Sequence, residues 1–356
     1  MKPKRIIVFT IGNIDHASSR IRGIQYMPLF QKDGFEVKWI PRIGKKPISR
    51  IDIFLNPFIK RWYIIKQLFY LLFAKADVFF IQKVFFDKYF LQHVKKRKIK
   101  IIFDFDDAIY LNQKNLFDID KKNEARTKII LFYSDLVITS TPILTEWASH
   151  HHKNVITITT PVDILHSKNK TEVNNEFIIG WIGSGTNTVH LDELKAPLIT
   201  LAKKHKIKFL VVGANKGFNI QGVDLILKNW EFEKEDEYLS LMDIGVMPLL
   251  DNNYSKGKGG YKILVYMGVG IPVVATPIGF NNEIIESGKT GFFAKTINEW
   301  VIAIEFLINN PAKRLEMGMN AFKIIETKYS RKVCYEILLK SINDLDVKTY
   351  HNPTLK

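Results

Sequence analysis

Lys256–Ala294 reads KGKGGYKILVYMGVGIPVVATPIGFNNEIIESGKTGFFA, and its order of glycines, lysines and apolar runs decides the fold class. Gly257, Gly259 and Gly260 omit the Cβ where a backbone can approach a ligand. Lys258 and Lys262 stand four apart and share one face if a helix starts here. Ile263, Leu264, Tyr266 and Met267 supply its apolar side, Gly268 and Gly270 end it, and Pro272 blocks its continuation. Val273–Ala275 reads as a short buried strand. Pro277 and Gly279 then turn the chain into a short helix over Asn281–Glu286, stopped by Gly288. A basic glycine loop, a helix and a buried strand suit a phosphate seated on a helix start at the carboxyl end of a parallel sheet. An ordinary loop–helix–strand with two solvated lysines has the same outline, so both readings stand on local physics.

Outward from this stretch the chain alternates strand-like and helix-like patterns. Strands are expected at Arg5–Thr10, Glu36–Ile40, Val78–Ile81, Ile101–Asp104, Leu136–Thr139 and Val155–Thr160. A second series runs through Phe177–Trp181, Lys208–Val212, Val223–Leu227, Ile244–Met247 and Pro272–Ala275. Helical stretches lie between them, notably Ser19–Gln31 and Pro57–Lys75. This βαβ order implies parallel sheets in an α/β protein. At 356 residues the chain suits two domains. Ser167–Asn175 is polar and without apolar period, and reads as the linker. The expected division is 1–166, a linker over 167–176, a second domain over 177–330, and a terminal helix and tail over 331–356.

The pattern GxxKxxxYMxxGxPVVATPxGxNxEIIxxGxxGF resembles the donor-domain signature of the retaining family-four glycosyltransferases, which have the GT-B fold of two facing Rossmann-like domains. Ile179–Ser184 (IGWIGS) resembles the first strand and donor-side loop of that domain, and Trp230 followed by Asp243–Leu250 (DIGVMPLL) resembles the strand before the signature. Glu299–Trp300 and Glu326–Ser330 (ETKYS) resemble its closing helices. In the first half, Ser18–Arg22 (SSRIR) and Phe103–Tyr110 (FDFDDAIY) resemble one bacterial branch. The resemblance implies a nucleoside-diphosphate sugar donor, transfer with retention, no metal or other cofactor, and a final helix that crosses back to the first domain. Gly183, Ser184, Lys258, Gly260, Tyr261 and Lys262 are the donor-side candidates. One departure stands out: the paired glutamates common in the family fall at Gly257 and Val265. The Gly183–Asn187 loop also lacks the family's arginine and lysine, which loads the phosphate role onto Lys258 and Lys262. Thr186 or Thr188 is alternatively a plain helix cap.

Charge separates the two halves. Residues 1–170 hold 30 Lys and Arg against 15 Asp and Glu, so nearly all of the formal +16 belongs to the first half. Such a field favours an anionic partner, a lipid-phosphate or saccharide acceptor or an anionic membrane face. Pro57–Lys75 carries Phe58, Trp62, Ile65, Phe69 and Leu72 at helical spacing, interrupted by Lys60, Arg61, Lys66 and Lys75. It reads either as an interfacial helix or as a core helix. No nucleic-acid module accompanies the charge.

Three loops follow strand ends, where open α/β sheets hold ligands. Besides Gly183–Asn187, these are Gly12–Arg22, whose Arg20 and Arg22 are candidate acceptor-side anion contacts, and Asp104–Asp107 (DFDD). Three close carboxylates repel, which raises one pKa and fits proton transfer at the acceptor. Asp107 is preferred over Asp104 and Asp106; a helix-capping role for Asp106 or Asp107 is the alternative. Asp104 and Asp106 also form a DxD pattern of metal-binding type, but they lie in the half opposite the donor signature. Ile6–Ile11 is followed at once by Asn13, Asp15 and His16, and reads as a first strand rather than a signal peptide. No run is long enough to span a bilayer. The one cysteine, Cys334, has no disulfide partner, in keeping with a cytoplasmic protein, and His150–His152, a row that could suggest a metal, read rather as a solvated helix end. Two further classes remain: a non-catalytic GT-B protein that binds a partner transferase or an anionic surface, and a sugar-nucleotide epimerase.

Overall fold

The computed structural model describes residues 4–42, 50–112, 119–164 and 176–347. The chain divides into two compact units, one of Met1–Pro161 with Cys334–Lys356 and one of Val162–Val333. The expected linker over 167–176 lies outside the described residues, apart from Glu176.

Unit 1 contains β1 (Arg5–Thr10), β2 (Glu36–Pro41), β3 (Val78–Gln82), β4 (Lys100–Phe105), β5 (Leu136–Thr139) and β6 (Val155–Thr157). They form one parallel sheet in the order β2-β1-β3-β4-β5-β6. The central strands are covered on both faces, which is why they read as continuous apolar runs. The chain reverses its direction of growth between β1 and β3, and the carboxyl ends of those strands therefore flank a switch point. Ile6, Val8, Phe80, Ile102 and Ile138 share a core with Cys334, Tyr335, Leu338, Ile342 and Leu345 of the last helix, Arg331–Val347. Tyr335 Oη donates to Asp33 Oδ2 at 2.6 Å.

Unit 2 contains β7 (Phe177–Ile182), β8 (Ile207–Val212), β9 (Asp224–Lys228), β10 (Ile244–Met247), β11 (Val273–Ala275) and β12 (Gly291–Phe293). Its parallel order is β12-β11-β10-β7-β8-β9, which puts the switch point between β7 and β10. Alternate residues feed the two faces. Ile178, Ile182, Leu210, Val212 and Met247 enter one core, and Ile179, Trp181, Phe209, Val211 and Val246 the other.

Several expectations shift. Ser19–Gln31 is not one helix but Ala17–Arg22, a 3-10 turn at Ile24–Tyr26, and Met27–Lys32. The break falls at Gly23, where a Cβ would stand 3.0 Å from Thr10 Cγ2. β12 is an unforeseen edge strand, too short and glycine-led to show a period. Lys258 precedes the helix Tyr261–Gly268 instead of joining it. Gly260, in the left-handed region at φ +64°, starts that helix, and a Cβ there would collide with Ile284.

Candidate functional site

In unit 2 the sequence candidates converge at the switch point. β7 ends at Ile182, and Gly183 N–H extends its ladder by donating to Val212 O at 2.9 Å. A Cβ on Gly183 would stand 2.9 Å from Lys262 Cε, so the lysine side chain crosses this glycine. Lys262 Nζ lies 5.5 Å from the centre of the buried Trp181 ring, a cation–π contact. Lys258 Nζ donates to Asn187 Oδ1 at 2.7 Å, and Asn187 Nδ2 donates to Ser184 Oγ at 2.9 Å. Gly183, Ser184, Lys258 and Lys262 therefore share one neighbourhood, although Lys258 comes from a loop. Thr186 and Thr188 do not cap a regular helix: Gly185–Leu194 is a 3-10 run, Ser184 Oγ and Thr186 Oγ1 lie 2.9 Å apart, and Thr188 Oγ1 accepts from Asn215 N–H.

Two residues here escaped the sequence reading. His190 is buried, and its Nδ1 accepts from Leu250 N–H at 3.1 Å, which leaves the neutral ring protonated on Nε2. Burial, then the charges of Lys258 and Lys262, push its pKa down to about 4. Burial is the larger cause, and the two ammonium charges near the ring add to it. Glu235 is the second. Its carboxylate accepts from Trp230 Nε1 at 2.7 Å and from Tyr261 Oη at 3.2 Å, which places Tyr261 beside Trp230. Neither has a pattern signal; both depend on loops meeting across the sheet. Val265, at one glutamate position of the resemblance, is buried in the core.

In unit 1 the aspartates and arginines also gather at strand ends, in a different arrangement from the one expected. Arg22, expected to contact an anion, is buried and spent on the protein. Its Nε and Nη2 lie 3.2 and 2.5 Å from the two Asp104 oxygens, and Nη1 is 2.5 Å from Ile158 O. Arg20 Nη1 donates to Ile14 O at 2.9 Å within its own loop. Burial pushes Asp104 up to about 6 against the pull of Arg22, so the pair is still ionised at neutral pH. The raised carboxyl is thus Asp104, and desolvation outweighs repulsion as its cause.

Asp106 and Asp107 meet Lys83, which sequence reading missed although it directly follows β3. Lys83 Nζ lies 3.0 Å from Asp106 Oδ1 and 2.6 Å from Asp107 Oδ2. Its backbone takes a left-handed φ of 54°, a cost that points to a constrained position. Burial opposes the Asp106 charge, yet Lys83 and Arg22 hold that carboxyl below its ordinary value. Asp107 keeps 30% of its side chain exposed, against 15% for Asp106 and 2% for Asp104. Neither caps the next helix, Lys121–Tyr133, whose N-cap is Asp120. His16 faces the same group. Burial and Lys83 lower its pKa, while Asp106 and Asp107 work the other way.

Residues 176–310 match the family model described as Glycosyl transferases group 1. Over 192 residues the chain is 26% identical to the capsular polysaccharide biosynthesis glycosyltransferase CapM of Staphylococcus aureus, covering 50% of this chain and 49% of that one. The chain thus spans about half the length of this curated relative. Among solved structures it is similar to the sucrose-phosphate synthase of Thermosynechococcus elongatus, with TM-score 0.71, 12% identity, and coverage of 97% of this chain and 100% of that one. It is also similar to HepE of Anabaena in complex with UDP, with TM-score 0.64, 14% identity, and coverage of 96% and 100%. Residues 176–310 thus resemble a group 1 glycosyl transferase domain, and the two parallel-sheet units share the GT-B fold of these solved structures.

Proposed function

We propose that the protein moves a sugar from a nucleoside-diphosphate sugar to a saccharide or lipid-linked acceptor in the synthesis of cell-surface polysaccharide or glycolipid, with retention and without a metal. The observation that carries this is the approach of Lys262 to Gly183 and of Lys258, through Asn187, to Ser184, so that both lysines reach the loop that follows β7. A departing diphosphate gains negative charge there, and two fixed ammonium groups stabilise it more than they stabilise the intact donor. Gly260 and Tyr261 start the helix beside them, whose N-terminal N–H groups add to the positive field. That HepE was solved with UDP, and that CapM is named for capsular polysaccharide biosynthesis, supports the donor class and the pathway type. On the acceptor side, Asp107 is the proton-transfer candidate because it is the most exposed of the three aspartates and its charge is partnered by Lys83. Arg22 and Asp104 hold the fold, and Arg20, also buried, is bonded to Ile14 O of its own loop.

Gly257 and Val265, in place of two glutamates, favour a second reading: a GT-B protein that binds a partner or surface without catalysis. Titration calorimetry with UDP, GDP and other nucleoside diphosphates decides between them. Binding of one of these, weakened by Lys262→Ala, supports the transferase; a folded sample that binds none removes it.

A further inference from the structure

The helix Arg50–Phe73 turns its most apolar stripe to solvent. Phe58, Trp62, Ile65, Phe69 and Phe73 are each between 51% and 69% exposed. Their spacing of four, three, four and four residues puts them within an arc of about 80° on an α-helix. The buried side is the opposite one, marked by Gln67 and Leu71. There Gln67 Nε2 donates to Ile40 O at 2.9 Å and Thr10 O at 3.2 Å. At the last turn Arg97 Nη1 donates to Leu71 O at 3.0 Å and Leu72 O at 2.6 Å. The helix is thus gripped by polar contacts at two points while its large aromatic side chains stay outside. A core helix buries such a stripe. Arg61 and Lys66 flank it by the same helical geometry. Lys75 follows the helix and lines a depression with Lys4, Arg5 and Arg97, in which Asp77 is the acidic lining residue. No helix of the described residues is long and apolar enough to cross a membrane.

We propose that this face docks unit 1 onto an anionic lipid surface. The aromatic stripe enters the boundary between headgroups and acyl chains, and Arg61, Lys66 and Lys75 meet the anionic headgroups. Charge complementarity selects this occupant over a second copy of the chain. The first half carries nearly all of the net positive charge, so pairing two copies through this face brings like charges together. The proposal concerns a surface of unit 1 and is independent of the donor reading.

Flotation of the full chain with phosphatidylcholine vesicles, with and without phosphatidylglycerol, tests it. Binding is expected only when phosphatidylglycerol is present, and is expected to weaken as salt is raised. Trp62→Ser with Phe69→Ser is expected to lower the partition coefficient about 100-fold. Arg61→Gln and Lys66→Gln are expected to lower it about five-fold each. All four side chains lie off the core, so an unchanged circular dichroism spectrum and unchanged melting show that the variants fold. Trp62 emission is expected to shift to the blue on binding, a shift that Trp62→Phe abolishes. Folded wild-type protein that stays with the aqueous phase overturns the proposal. So does flotation unaffected by the Trp62 and Phe69 changes, or self-association through this face without vesicle binding.

Discussion

Lys262 crosses Gly183 so closely that a Cβ there would come within 2.9 Å of Lys262 Cε. One side-chain position thus depends on the absence of another side chain. Gly183→Ala puts a Cβ 2.5 Å from the buried Trp181 ring and 2.9 Å from Lys262 Cε, so both side chains must give way, at a cost of about 1–3 kcal/mol. The expected outcome is a folded protein with nucleoside-diphosphate affinity reduced about ten-fold. Calorimetry read beside a melting curve checks it, and unchanged affinity would separate Gly183 from the donor site.

Lys258→Ala and Lys262→Ala are each expected to weaken diphosphate binding about ten-fold or more, because each removes a charge-assisted contact of about 1.5–3 kcal/mol. The two reach the site differently, one from a loop through Asn187 and one from a helix over Trp181. Asn187→Ala is therefore expected to reproduce part of the Lys258 loss and none of the Lys262 loss.

His190 supplies a pH signature. Its folded pKa is about 4, below the ordinary histidine value of 6.5. The stability it contributes is therefore present in full above 6.5 and is lost as pH falls toward 4, since the unfolded chain takes up the proton first. NMR of the imidazole is expected to show no titration until the pH nears 4. A bound diphosphate opposes the two lysine charges and raises this pKa. Proton uptake on binding is then expected between the two values, absent in His190→Gln and measurable as buffer-dependent heat.

Arg22 and Asp104 form a buried pair, with side-chain exposures of 1% and 2%. Asp104→Ala leaves an uncompensated guanidinium and is expected to destabilise unit 1 by about 3–5 kcal/mol in urea unfolding. Arg22→Met with Asp104→Leu is expected to recover much of that loss. If Asp104→Ala instead lowers turnover at unchanged stability, Asp104 belongs to the chemistry rather than the scaffold.

Asp107→Asn is the contrasting change. The carboxylate is partly exposed and bound to Lys83, so its loss is expected to alter stability by no more than about 1 kcal/mol. A proton-transfer role predicts a fall in kcat of about 10²–10⁴ with little change in nucleotide affinity. Stopped turnover with intact UDP or GDP binding is the result to look for.

The βαβ alternation was legible because strands buried on both faces must be apolar throughout, as in Ile6–Phe9 and Val78–Ile81. The donor stretch was legible because glycine and proline restrict the backbone locally, and Gly260 at φ +64° is a direct case. The break at Gly23 was not, since it depends on Thr10 from a neighbouring strand. His190, Glu235 and Lys83 were not, since a lone histidine, glutamate or lysine carries no period.

By itself, then, the sequence determined the two parallel-sheet units, the glycine and lysine stretch of the second, and the basic character of the first. These follow from backbone sterics, burial periods and composition, all local or additive quantities. Only the tertiary structure decided what the charged side chains face. It turned Arg22 and Asp104 from site candidates into a buried pair and set Lys83 against Asp106 and Asp107. It brought Lys258 and Lys262 together through Gly183, Asn187 and His190 rather than along one helix. It also turned the Phe58–Phe73 stripe outward. Partner choice for a charge or an apolar face depends on which strand ends and loops meet in space, and the sheet order decides that.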